Sequence, residues 1–123
     1  MNVIKFTGRE IWKTKLNIKN GKPIRACIVF FDNDYQAIII SQLSSPDFLV
    51  CQIENLLIVS VYSDQTKNFK KTISKMESLM KYLNDNHHLQ VIIGGDFNAK
   101  SPFWGSQIQN KRGNQLLATL SEN

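Results

Sequence analysis

The sequence is poor in residues that cross-link a fold or carry it across a membrane. It holds two cysteines in 123 residues, too few for the disulfide framework on which small secreted domains rely. Cys27 and Cys51 both lie in apolar runs without metal-ligand spacing, which predicts two buried free thiols in a reducing compartment. No apolar run approaches the ~20 residues of a membrane span, so no membrane partner is expected. The first 22 residues are polar and basic with no apolar centre. They do not read as a secretory signal, and an intracellular location is the expectation. The only histidines, His87 and His88, are adjacent. In an extended segment they point opposite ways, so they read as surface residues rather than a shared metal site. Positive charge is missing from one whole stretch: residues 26–66 contain no Lys or Arg.

What is present fits one globular domain. Hydrophobic residues make up 42% and charged ones 20%, which rules out a disordered chain, and the length allows one core but not two. The net charge of +5 is unevenly spread. Residues 1–25 hold seven bases against Glu10, residues 26–66 five acids and no base, and residues 67–123 eight bases against four acids. Such a chain can bind phosphate backbones by releasing counterions. The lysines can equally serve only to solvate the surface.

The elements alternate in type. Residues 11–18 can form a strand with Ile11, Lys13 and Lys15 on one face, and Asn20-Gly21 followed by Pro23 signals a turn. Residues 26–31 are apolar on both alternating faces, as expected of a strand covered on both sides. Asp32-Asn33-Asp34 reads as a turn, residues 37–40 as a short strand and residues 44–47 as a loop. Residues 48–53 and 56–62 predict an antiparallel hairpin across Glu54-Asn55, a poorer two-residue turn than Asn-Gly. Asp64 or Thr66 then caps a helix. Phe69, Ile73, Met76, Met80 and Leu83, with Leu79 beside them, form its apolar face to about Asn84. Lys67, Lys70, Lys71, Lys75 and Lys81 lie mostly off that face. A strand over residues 89–94 and a helix over residues 113–120, with Leu116, Leu117 and Leu120, complete an α/β pattern.

The stretch that carries chemistry is residues 91–106. Val91, Ile92 and Ile93 are too few for a helix and read as a buried strand. Gly94 and Gly95 end it and let the backbone approach whatever binds. Asp96 and Asn98 follow two positions apart, so an extended backbone presents them on the same side. A carboxylate and an amide at a strand end can hold a water or a metal-bound phosphate in a crevice. Asp and Asn are also ordinary turn residues, which leaves a plain loop as the alternative.

The run Gly-Asp-Phe-Asn-Ala-Lys-Ser-Pro-Phe-Trp-Gly-Ser at positions 95–106, followed by Lys111-Arg112-Gly113, resembles the endonuclease/exonuclease/phosphatase superfamily. It is most similar to the apurinic-type endonuclease domain of non-LTR retrotransposons. The resemblance covers about residues 21–120. It implies part of a four-layer α/β sandwich of the DNase I type, with two mixed sheets face to face and helices outside. It also implies Mg²⁺-dependent hydrolysis of DNA phosphodiesters. Asp96 would orient or deprotonate the attacking water, and Asn98 would hold the phosphate. Tyr62, at the end of the second hairpin strand, would stabilise developing charge. Asp96 and Asn98 would be the metal contacts available, and Lys100, Ser101 and Trp104 would face the substrate. Without the resemblance, Tyr62 reads as a strand-end aromatic on the core, and Trp104 as a packed loop anchor.

The chain departs from that family in two places. The metal-binding Glu, in a Gln-Glu pair on an earlier strand, has no counterpart, and neither has the Asn of the strand before it. The Ser-Asp-His motif would lie past Asn123. The expectation is therefore a single incomplete domain over residues 1–123, catalytically incomplete alone, with exposed sheet edges that invite self-association. A non-catalytic remnant that binds nucleic acid or a partner is a second reading. Another nuclease or phosphatase of the superfamily is a third.

Overall fold

A computed structural model describes residues 3–4, 10–14, 25–30 and 36–121. Among the described residues seven strands, β1 (Val3–Ile4), β2 (Glu10–Thr14), β3 (Cys27–Phe30), β4 (Ile38–Ile39), β5 (Phe48–Ile53), β6 (Leu56–Tyr62) and β7 (Gln90–Asp96), form two sheets. The helices are α1 (Lys70–Asp85) and α2 (Lys111–Ser121). The first sheet is β1-β2-β3, antiparallel throughout. The second is β4-β5-β6-β7, antiparallel except for the parallel β6–β7 pair, which α1 connects. The turns expected at residues 20–23 and 32–34, and the end of the first long strand at residues 15–18, lie outside the described residues.

The layers follow from how β5 alternates. Phe48 and Val50 pack on one side with Met76 and Leu79 of α1 and Leu116 of α2. Leu49 and Cys51 face the other way, onto Ala26 and Ile28 of the first sheet. These four of the six residues of β5 are buried, so among the described residues this strand is covered on both faces over most of its length. Residues 26–28 are not, contrary to expectation: Ala26 is buried, but Cys27 is exposed and Ile28 half-buried. Cys27 is therefore no buried thiol, whereas burial pushes the Cys51 thiol up to about 12. Coverage then falls across the sheet. In β6 only Leu57, Val59 and Val61 are fully buried, and β7 is half-buried on its helix side and exposed on the other. Ile92, placed by the sequence in a buried strand, is 59% exposed. An apolar run reports hydrophobicity but not which neighbours cover it.

The hairpin forms across two residues, since Ile53 pairs with Leu56. Glu54 takes the left-handed conformation there, at φ 51°, which a glycine would adopt without strain. Asp64 caps no helix. Its Oδ1 accepts the amide (2.8 Å) and the hydroxyl (2.7 Å) of Thr66 and closes a turn. The helix starts later, with Asn68 Oδ1 accepting the Lys70 amide. In α2 the buried face is Gly113, Leu116 and Thr119, while Leu120 is exposed. Its cap is Asn110, whose Oδ1 accepts the Gly113 amide at 2.8 Å.

Candidate active site

The site is built where β6 and β7 end side by side. Tyr62 and Asp96 are partners in the parallel register, so laterally they share one face of the sheet. Gly95, at φ 134°, makes this closeness possible, because a Cβ there would lie 2.0 Å from the Val61 carbonyl oxygen. The glycine thus admits the neighbouring strand rather than a ligand.

Beyond Asp96 the chain does not stay extended. Asn98 is left-handed at φ 50°, and its amide donates to Asp96 Oδ1 at 2.9 Å. The pair meets through this turn and not through the two-residue alternation of a strand. Ser63 locks both to β6: its amide donates to the Asp96 carbonyl at 2.7 Å, and its carbonyl accepts Asn98 Nδ2 at 2.6 Å. Asn98 retains one amide hydrogen and its oxygen, and Asp96 retains Oδ2. Asp96 is exposed, whereas Asn98 and Tyr62 are half-buried.

Two arginines fix the surroundings: Arg25, which the sequence shows only as part of a basic segment, and Arg112, which it shows as part of the Lys111-Arg112-Gly113 motif without a contact. Arg25 lies 4.9 Å over the Tyr62 ring. It pairs bidentately with Asp47 at 2.8 and 2.6 Å and reaches Asp64 at 3.2 Å. The Asp47 bonds raise its pKa further above the ordinary value. The Asp64 carboxyl is held below the usual range, chiefly by Thr66 and less by Arg25. Arg112 donates to Ser63 Oγ at 3.2 Å and to the Asp64 carbonyl at 2.9 Å, over the Phe69 ring. It thereby ties α2 to the loop after Tyr62. The signal available in the sequence was a lone Arg25 just before the 41 base-free residues.

The loop after Asn98 is rigidly made. Ser101 is fully buried; its hydroxyl donates to Gln109 Oε1 and accepts the Phe103 amide. That hydroxyl holds the loop rather than facing outward. Trp104 donates Nε1 to the Ala99 carbonyl at 3.0 Å and remains partly exposed. Lys100 is exposed, and its backbone is clasped by Asn110. A Cβ on Gly113 would lie 1.8 Å from the Lys100 carbonyl oxygen, so only glycine lets α2 start there. Phe103, 76% exposed, is the most open aromatic of the loop. His87 and His88 are exposed.

Residues 56–123, more than half of the chain, match the family model described as endonuclease-reverse transcriptase. The chain belongs to that family. Among solved structures it is similar to the endonuclease domain of TRAS1, a telomere-specific non-LTR retrotransposon, with a TM-score of 0.80 and 29% identity. The likeness covers 95% of this chain and 54% of that one, so the chain spans about half the length of that domain. No curated protein matches the chain. These findings bear out the expected resemblance and the DNase I-like α/β class. Tyr62, Asp96, Asn98 and Arg112 lie inside the matched residues of this endonuclease family, and Arg25 lies before them. No helix among the described residues is long and apolar enough to cross a membrane.

Proposed function

We propose that this chain supplies the strand-end half of a Mg²⁺-dependent site that hydrolyses DNA phosphodiesters in a retrotransposon endonuclease. We propose too that residues 1–123 belong to one domain, and that they do not by themselves make a complete catalyst. The observation that carries this reading is the meeting of Asp96, Asn98 and Tyr62 at the ends of two paired parallel strands. With Oδ2 open, Asp96 orients an attacking water and accepts its proton. The remaining Asn98 amide hydrogen donates to a phosphate oxygen. The Tyr62 phenol donates where negative charge grows in the transition state.

The donor set fits a Mg²⁺ only in part. A hard cation takes oxygen ligands, and Asp96 Oδ2 and Asn98 Oδ1 are suitable, but Mg²⁺ fills a near-octahedral shell. Among the described residues no cluster of three or more His, Cys, Asp or Glu side chains is assembled for a metal. Asp96 would contact the ion indirectly, through a bound water on Oδ2, with Asn98 Oδ1 as a partial contact and water or substrate filling the rest. When bound, it supplies Lewis-acid polarisation of the phosphate.

Lys100, Trp104 and the open Phe103 ring face the substrate in this reading, with Ser101 holding the loop that presents them. Basic side chains contact phosphates and aromatic faces stack on bases. The free edge of β7 and the exposed Ile92 favour self-association. Action on chromosomal DNA would make the compartment nuclear. The test is nicking of supercoiled plasmid by the purified chain with Mg²⁺, beside Asp96→Ala. The expected result is no Asp96-dependent nicking; nicking that disappears in the variant contradicts incompleteness.

A further inference from the structure

A groove of about 930 Å³ lies between the first half of α1 and the loop before β5. Asp96 and Asn98 do not line it, but Tyr62 and Ser63 do. The groove therefore begins where the strand-end site stops. Its volume is near the top of the range for ligand pockets, roughly 300–1,000 Å³, and exceeds what one phosphate fills.

The charge in the groove is one-sided. Lys67, Lys70, Lys71, Lys75 and Arg25 line it against two carboxylates, Asp47 and Asp64. Arg25 already pairs with both acids. No ion pair joins any of the four lysines to a described residue. Lys75 is the telling one. It is half-buried, and its ammonium donates to the Ser44 carbonyl at 3.3 Å. Burial lowers its pKa, as expected of a cation drawn out of water without an acid beside it. An ammonium has three donors, so two are left for an occupant. Lys71 and Lys75 are one helical turn apart, about 6 Å along the axis.

We propose that this groove carries the phosphate backbone of a nucleic-acid strand leading away from Tyr62, with Lys75 at its floor and Lys67, Lys70 and Lys71 along its wall. The proposal rests on the nuclease reading and extends the bound strand well past the scissile phosphate. Ser74 and the Asn68 amide add neutral donors along the same path. The recognition is of backbone and carries no base sequence, because lysines on phosphates position a strand without reading it.

The test is the salt dependence of binding to a short fluorescent duplex, read by anisotropy. The proteins are the unaltered chain, Lys71→Gln/Lys75→Gln, Lys75→Arg, and Lys81→Gln, which changes an exposed lysine on the same helix outside the groove. The double variant should lower the slope of log K against log salt by about 1.8, at roughly 0.9 per phosphate. Lys75→Arg should keep the slope, and Lys81→Gln should leave it unchanged. Thermal melts of all four verify folding, and the charge-keeping arginine covers the case in which glutamine disturbs the floor. An unaltered slope in a folded double variant overturns the groove while leaving the nuclease reading intact. No duplex binding by the unaltered chain overturns both. Inorganic tripolyphosphate, titrated in parallel, separates the sources of phosphate. If it binds through Lys75 and the duplex does not, the groove serves a small phosphorylated ligand and the proposal is wrong.

Discussion

The β5 strand and the β7 strand are near neighbours in one sheet, and their sequences look alike, yet they do different work. Phe48, Leu49, Val50 and Cys51 are buried on both faces, with helices on one side and the first sheet on the other. In β7 Val91 and Ile93 reach the helices, while Ile92 and Gly94 are exposed. The first strand is held by burial. The second is held by backbone pairing to β6 and by one close glycine contact, and it carries the candidate chemistry. The candidate residues sit at the less covered end, where the site is open to solvent. Rigidity there comes from hydrogen bonds of Ser63, Asn98 and Arg112 rather than from packing.

The sharpest way to break this contrast is at Gly95. Alanine there meets the Val61 carbonyl and needs a φ that alanine avoids, so β6 and β7 must part. We expect a loss of roughly 3 kcal/mol or more in urea unfolding. Next comes Leu49→Ala, expected to cost about 2–5 kcal/mol, against about 0.5 kcal/mol or less for Ile92→Ala, whose side chain is mostly in water. Equal effects at 49 and 92 would mean that β7 is covered in solution. Arg112→Met removes charge-assisted bonds to Ser63 and Asp64, each worth roughly 1.5–3 kcal/mol. It should also raise amide exchange across residues 63–67.

The sequence made much of this legible, and the exceptions have physical causes. The hairpin at residues 48–62 and the face of α1 follow from periodicity, which depends on local pattern alone. The nearness of Asp96 and Asn98 was legible, but not the way they come together. Asp96 and Asn98 meet through a turn at a left-handed asparagine, which strand alternation does not describe. The contacts of Arg25 and Arg112 were not legible because their partners are 22 to 49 residues away, and no local pattern encodes such pairing. Cys27 and Ile92 were misjudged because coverage belongs to neighbouring layers.

Two smaller effects refine the comparison. Asn110→Ala removes the cap of α2 and should cost about 1 kcal/mol, seen as a lower melting temperature with no change at β5. The Asp64 carboxyl, held below its ordinary 3.8, binds protons less readily when folded than when unfolded. Its contribution is present at neutral pH and is lost as pH falls below about 3.8 toward the depressed value. Asp64→Asn should therefore flatten the acid limb of the stability profile, with little change near pH 7 in that limb's slope.

The most direct test of the account is site-resolved broadening of amide resonances by Mn²⁺, a paramagnetic stand-in for Mg²⁺, in the presence of a short duplex. The account predicts that residues 62–64 and 96–98 broaden first and that Asp96→Asn abolishes the effect. Broadening centred elsewhere, or unchanged in that variant, would contradict the placement of the half-site at the ends of β6 and β7.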